Sequence, residues 1–183
     1  DHGEEFWEHG GQGHGSSLYD EQIRIPCIVK LPHSVHAGSQ YEGIAEIIDI
    51  APTILEYLKI AAPESYQGQS LKSALSNAGP LDATAYSSLF LSTYALEAAR
   101  NLQGKYVHDI ASGSKTWFDR IADSAEQRPL TMPPASGDTL ERYADRINAT
   151  GESGLHILIT GSLSEPHTIS GAIHGAAIGK ARL

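Results

Sequence analysis

The sequence predicts an α/β fold followed by a smaller α+β C-terminal portion. Three observations carry that prediction. Ile23 to Leu31 is an apolar, β-branched run with the make-up of a buried strand. Pro52 stands where the first turn of a helix accepts it, with Ile54, Leu55 and Leu58 behind it. Farther on, two strand-like runs lead into a second amphipathic helix near the C-terminal end.

Taken in order, residues 1 to 22 are unlike the rest. They hold six acidic residues, three His, five Gly and no Lys or Arg. So many glycines forbid a regular helix and predict a loop packed closely against a ligand or another backbone. The strand from Ile23 to Leu31 follows, entered through Pro26 and burying Cys27. A helix is expected over about 51 to 59, started by Asp49, Pro52 and Thr53, and a short second helix over Gln69 to Leu75. Thr84 to Tyr94 and Lys105 to Ile110 read as strands, while Ala95 to Asn101 fits either strand or helix. Asp138 caps a helix running to about Asn148, with Leu140, Tyr143, Ala144 and Ile147 on one face. Leu155 to Thr160 reads as a short strand. Pro129 to Gly137 is the best linker, dividing the chain into residues 1–130 and an accessory segment, 131–183.

Composition excludes several classes. The 183 residues carry 13 basic and 22 acidic side chains, a formal charge of −9, which argues against wrapping nucleic acid or coating anionic lipid. A single Cys excludes an intrachain disulfide and a Cys-rich zinc site. No apolar run approaches the ~20 residues that a membrane helix needs. The chain begins at Asp1 rather than Met, which is expected of a processed chain or a piece of a longer one.

The chemistry lies at the front. Asp1-His2-Gly3 sets a carboxylate and an imidazole side by side, and the glycine lets the backbone turn away. The carboxylate suits a hard ion and the imidazole a transition metal, so the pair alone leaves Ca²⁺, Mg²⁺, Mn²⁺ and Zn²⁺ open. His9 reads as a loop-packing residue, Glu4, Glu5 and Glu8 as solvated or supporting groups, and Phe6 and Trp7 as packing or the lining of a substrate entrance. Arg24 reads as a structural ion-pair partner. His156, His167 and His174 read as structural or solvated.

Beyond that triplet come Glu4, then Glu8-His9-Gly10, His14-Gly15-x-Ser17-Leu18-Tyr19-Asp20-Glu21 and Arg24-x-Pro26. Asp49-x-x-Pro52-Thr53, Gln67-Gly68-Gln69-Ser70-Leu71, Lys105-Tyr106, Phe118-Asp119 and Asp123-x-x-Glu126 follow in sequence. Over residues 1–130 this order resembles the second half of the catalytic domain of the sulfatases, in the alkaline phosphatase superfamily. The resemblance implies a partial alkaline-phosphatase-like fold in which Asp1 and His2 hold a divalent cation, Ca²⁺ first, with Mg²⁺, Mn²⁺ or Zn²⁺ as alternatives. It implies that His14 touches the sulfate oxygens or protonates the leaving oxygen, and that the substrate is a sulfate ester. A periplasmic or extracellular location is also implied.

The family's nucleophile is a formylglycine made from a Cys or Ser in a Cys/Ser-x-Pro-x-Arg segment. Cys27 fails that pattern, and Ser164-Glu165-Pro166-His167 has the proline without the arginine. The family's upstream Asp-Asp pair is likewise missing from this sequence. The resemblance therefore implies the C-terminal part of a sulfatase, inactive by itself, with nucleophile and remaining metal ligands expected upstream. A phosphoryl or phosphonate monoester hydrolase of the same superfamily is the nearest alternative, and a non-catalytic remnant or interaction module is another.

Overall fold

The computed structural model describes residues 2–78, 83–91, 93–134, 137–150, 168–169 and 181–182. Its centre is a four-stranded antiparallel meander, β3 (Ala85–Leu91), β4 (Tyr94–Arg100), β5 (Gly104–Asp109) and β6 (Ser114–Asp119), paired in that order. Short turns explain the meander. The Asn101 side chain accepts the Gln103 and Gly104 amides at 3.0 and 2.8 Å between β4 and β5. Asp109 does the same for Ala111 and Ser112 at 3.0 and 3.2 Å after β5. Both are side chains that substitute for backbone acceptors in a tight turn. Leu130 adds a single residue to the far edge by pairing with Trp117.

The register aligns Tyr86, Ala99, Tyr106 and Trp117 in one row across all four strands. Helix α3 (Gly137–Thr150) lies over that row and closes a core of Ala99, Tyr106, Trp117, Leu140 and Ala144. Leu140 and Ala144 are four apart, one turn along the same face, as the apolar spacing predicts. The helix assigned from sequence to the accessory segment thus shares its core with the sheet.

Because side chains alternate along a strand, the neighbouring row faces the other way. Arg100, Lys105 and Phe118 pair across that opposite face. It is covered by the front of the chain: the two-strand ribbon β1 (Glu5–Phe6) and β2 (Gln12–Gly13), then the short helix α1 (Asp20–Ile23), with Tyr19 edge-on to Phe118 at 6.0 Å.

Helix α2 (Ile50–Tyr57) falls where Pro52 predicts it. The Asp49 carboxylate accepts the Glu46 and Gln69 amides at 2.9 and 2.8 Å, and Thr53 Oγ1 accepts the Leu71 amide at 2.8 Å. The Gln67–Leu71 segment is therefore stitched to the helix start. Gly68 sits so close that a Cβ there would lie 2.1 Å from the Ile48 carbonyl oxygen. Asp49, Pro52 and Thr53 start a helix, as read. A short π-helical turn, Ala74–Ala78, stands at the end of the expected second helix. Ala95 to Asn101, undecided from sequence, belongs to β4 apart from Asn101. The chain's last described pairing joins Thr168–Ile169 to Ala181–Arg182.

One expectation fails. No strand forms over Ile23 to Leu31: Ile23 ends α1, the rest is irregular, and Ile28 is 95% exposed with Cys27 also at the surface. The run has strand composition but no partner among the described residues, and β structure needs a partner for its backbone groups. The predicted strand Leu155 to Thr160 and His156, His167 and His174 lie outside the described residues.

Candidate functional site

The front loop is built on its acids. In the ribbon, Glu5 opposes Gly13 and Phe6 opposes Gln12. Alternation turns Glu5 inward, where it is buried. Its carboxylate accepts the Gly11 and His9 amides at 2.7 and 3.1 Å and the Gln22 side-chain amide at 2.8 Å. The Gly11 amide leads these in holding Glu5 below the ordinary carboxylate range. Of the solvated or supporting roles expected for it, Glu5 takes the supporting one, as the buried pin of the loop. Gln22 extends the web by accepting the Ser16 and Ser17 amides, both at 3.3 Å. Gly3 passes α1 with no room for a side chain, since a Cβ would lie 2.0 Å from the Glu21 carbonyl oxygen.

His9 packs flat on Tyr19, with ring centroids 3.6 Å apart. Its Nδ1–H donates to Glu21 at 2.5 Å and its Nε2–H to the Glu126 carbonyl at 3.0 Å. Burial works against the charged ring, but these hydrogen bonds and the nearby carboxylates outweigh it, so His9 titrates above the ordinary histidine range. The donors of Glu5, His9 and Glu21 converge closely enough to suggest a metal site. Their hydrogen bonds already occupy them, and the loop-packing reading of His9 holds.

A buried charge network ties this loop to the sheet. Asp20 accepts from Arg100 and Lys105, both at 3.1 Å, and faces Arg120 at 3.5 Å. Lys105 also reaches Glu126 at 2.9 Å, and the Glu126 carboxylate accepts the Asp20 amide at 2.9 Å. Burial would raise the Asp20 pKa, but Lys105 and Arg100 win and lower it. Arg24, expected to form an ion pair, is exposed and enters none of the ion pairs among the described residues.

On the outer side of the loop stand His2, Glu4 and His14. The two imidazoles stack at 3.8 Å with 28° between planes. The Nδ1–H of His14 donates to Glu4. The Nδ1–H of His2 donates to the Gly3 carbonyl at 2.8 Å. The fold thus brings His2 and His14, twelve positions apart, into contact. Asp1 lies outside the described residues. Phe6 and Trp7, expected to pack or to line a substrate entrance, do not pack: they are 67% and 66% exposed, and Trp7 holds φ +73° at the ribbon's tip. Sequence reasoning missed the Glu4–His14 pair; the signal was the outward register that Glu4 and His14 share at the ribbon's open end.

The fold and this loop define a class, and comparison with known proteins fixes it. The chain shares its fold with a solved protein in complex with its substrate D-glucosamine-2-N,6-O-disulfate, at a TM-score of 0.69 and 24% identity, over 82% of this chain and 32% of that one. The N-sulphoglucosamine sulphohydrolase, C-terminal family model matches residues 14–106, and the chain belongs to that family. An N-acetylglucosamine-6-O-sulfatase of Bacteroides thetaiotaomicron is 32% identical over 89 residues, 49% of this chain and 16% of that protein. A multifunctional alkaline phosphatase superfamily protein of Trinickia caryophylli, PehA, is 30% identical over 168 residues, 80% of this chain and 32% of that protein. The chain therefore spans less than a third of the length of either relative. The alkaline-phosphatase-like fold and the sulfatase resemblance stand.

Proposed function

We propose that this chain serves in a metal-dependent sulfuric ester hydrolase acting on a sulfated sugar. The observation that carries the proposal is the contact of His2 with His14 on a loop of a sulfatase family chain. The sugar class rests on the substrate bound by the solved protein of the same fold and on the N-acetylglucosamine-6-O-sulfatase relative. In this reading Asp1 and His2 hold a divalent cation, Ca²⁺ first. A carboxylate beside an imidazole fits such an ion, which supplies charge stabilisation for the transferring sulfuryl oxygens.

His14 does the remaining work this chain contributes. Glu4 accepts its Nδ1–H, which orients the ring and leaves Nε2 to act on the substrate. There it contacts a sulfate oxygen or, when protonated, gives a proton to the departing sugar oxygen. The nucleophile, a formylglycine, lies outside this sequence in the same reading, because none of its residues forms Cys/Ser-x-Pro-x-Arg. A periplasmic or extracellular setting belongs to the same reading.

A second reading has its own support: the match to the multifunctional alkaline phosphatase superfamily protein covers more of this chain than the sulfatase match does. Phosphoryl or phosphonate monoester hydrolysis needs the same charge stabilisation. The test is to assay the protein that contains this chain, with its upstream region, on 6-O-sulfated glucosamine and on a phosphonate monoester. Faster turnover of the sulfate, reduced by about 10²-fold or more in His14→Ala, supports the proposal. Preference for the phosphonate supports the second reading. Turnover of neither supports a non-catalytic role and overturns both.

A further inference from the structure

We propose that Phe6 and Trp7 form an aromatic platform for a second sugar, an unsulfated pyranose ring linked to the sulfated one. The proposal rests on the sulfated-sugar reading above and deepens it. Ribbon register places the platform. Glu5 faces inward, so Glu4 and Phe6 face outward on their strand, with His14 and Gln12 outward opposite them. Phe6 therefore stands on the face that carries His14, two residues along the strand, or about 7 Å. That step is on the scale of one sugar unit. Folding does not account for the two rings. Phe6 and Trp7 are mostly exposed, whereas Trp117 and Phe118 are buried against the sheet. Trp7 also holds a left-handed backbone, φ +73°, which bulky residues rarely adopt and glycine enters freely. The tip fixes it there from both sides. The Trp7 amide donates to the Gly11 carbonyl at 2.9 Å, and the Gly10 amide donates to the Trp7 carbonyl at 3.2 Å. A ring held outward against its own backbone preference has a use at the surface.

The polar groups choose the ligand. A pyranose presents C–H faces and hydroxyl edges, so an aromatic ring meets the face while polar side chains meet the edge. Glu4 and Glu8 flank Phe6: Glu4 shares its face of the ribbon, and the Glu8 carboxylate accepts the Phe6 amide. Gln12, exposed opposite Phe6, adds a side-chain amide that both donates and accepts. Carboxylates accept hydroxyl protons but repel a sulfate or a second carboxylate. The first 23 residues hold no Lys or Arg to offset them. The ring that fits the platform is therefore neutral, and the sulfate stays with the unit that meets His14.

The test uses the protein with its upstream region and two substrates: N-acetylglucosamine 6-sulfate alone, and the same unit linked to unsulfated N-acetylglucosamine. Wild type should prefer the disaccharide in kcat/KM, and Phe6→Ala and Trp7→Gly should each cut that preference tenfold or more. Phe6→Tyr keeps a ring and should preserve it. Trp7→Gly removes the ring while easing the backbone, so its effect is not a failure to fold. A second readout needs no catalysis. N,N′-diacetylchitobiose, an unsulfated disaccharide, should quench tryptophan emission in the wild-type protein and not in Trp7→Gly. A disaccharide preference absent from wild type, or unchanged within threefold in both variants, overturns the platform while leaving the proposed function standing. If neither sulfate is turned over, the proposed function fails and the emission titration decides alone: quenching lost in Trp7→Gly supports the platform, and no quenching overturns it.

Discussion

His9 donates from both ring nitrogens, to Glu21 and to the Glu126 carbonyl, while lying flat on Tyr19. A ring that donates twice is an imidazolium, so the contact holds best when the ring is charged. Its pKa in the folded chain is raised, so the stability it contributes is complete below the unfolded value, about 6.5. That contribution is lost as pH rises through the folded value. Denaturant unfolding measured from pH 6 to pH 9 should therefore show stability falling above about pH 6.5, and His9→Gln should flatten that part of the curve. An unchanged slope in the variant would remove His9 from the account. Little of this is legible before folding: 117 positions separate His9 from Glu126, and only the packing of the loop on the sheet reveals what the ring is for. Glu5 teaches the same lesson. Sequence leaves it solvated or supporting among three acids, and ribbon alternation, invisible without the pairing to Gly13, decides by turning it inward.

Helices and turns were legible where the signal is local. Pro52 with Asp49 marked α2, and Leu140, Tyr143, Ala144 and Ile147 marked the packed face of α3. The run from Ile23 to Leu31 forms no strand because strand composition does not create a pairing partner. Two substitutions test how the elements are joined. Leu140→Ala removes a side chain that is 1% exposed between α3 and the sheet, and should cost about 2–5 kcal/mol in denaturant unfolding. Lys105→Met leaves Asp20 and Glu126 buried without their shared cation, where Lys105 now lies 3.1 and 2.9 Å from them. Breaking such a group by removing one partner costs about 3–5 kcal/mol. Adding Glu126→Gln to Lys105→Met should recover part of the loss, since one uncompensated charge goes with it. If the double variant is no more stable than the single, the network is not coupled as drawn.

At the scale of the whole molecule, the apolar surface is unusual in extent. Ile47, Ile50, Ile54 and Leu58, at helical spacing, are all exposed, as are Ile28, Val29 and Val35. Scattered exposed apolar residues are ordinary, but a stripe of them is a surface that binds something or associates. The chain also holds the loop that places His2 beside His14 while lacking a Cys/Ser-x-Pro-x-Arg segment in its 183 residues. These two facts give one expectation for the 183-residue chain purified alone. It should bind a hydrophobic dye, less so in Ile54→Glu/Leu58→Glu, and it should hydrolyse no arylsulfate with any divalent cation added. The dye result tests the surface, and the assay tests the chemistry. A metal and a histidine can stabilise a transferring sulfuryl group and activate water, but they do not replace a covalent nucleophile, so a rate matching that of the protein with its upstream region would require a nucleophile among these residues. Turnover at that rate, surviving repurification and lost in His14→Ala, would therefore overturn the assignment of the nucleophile outside this chain.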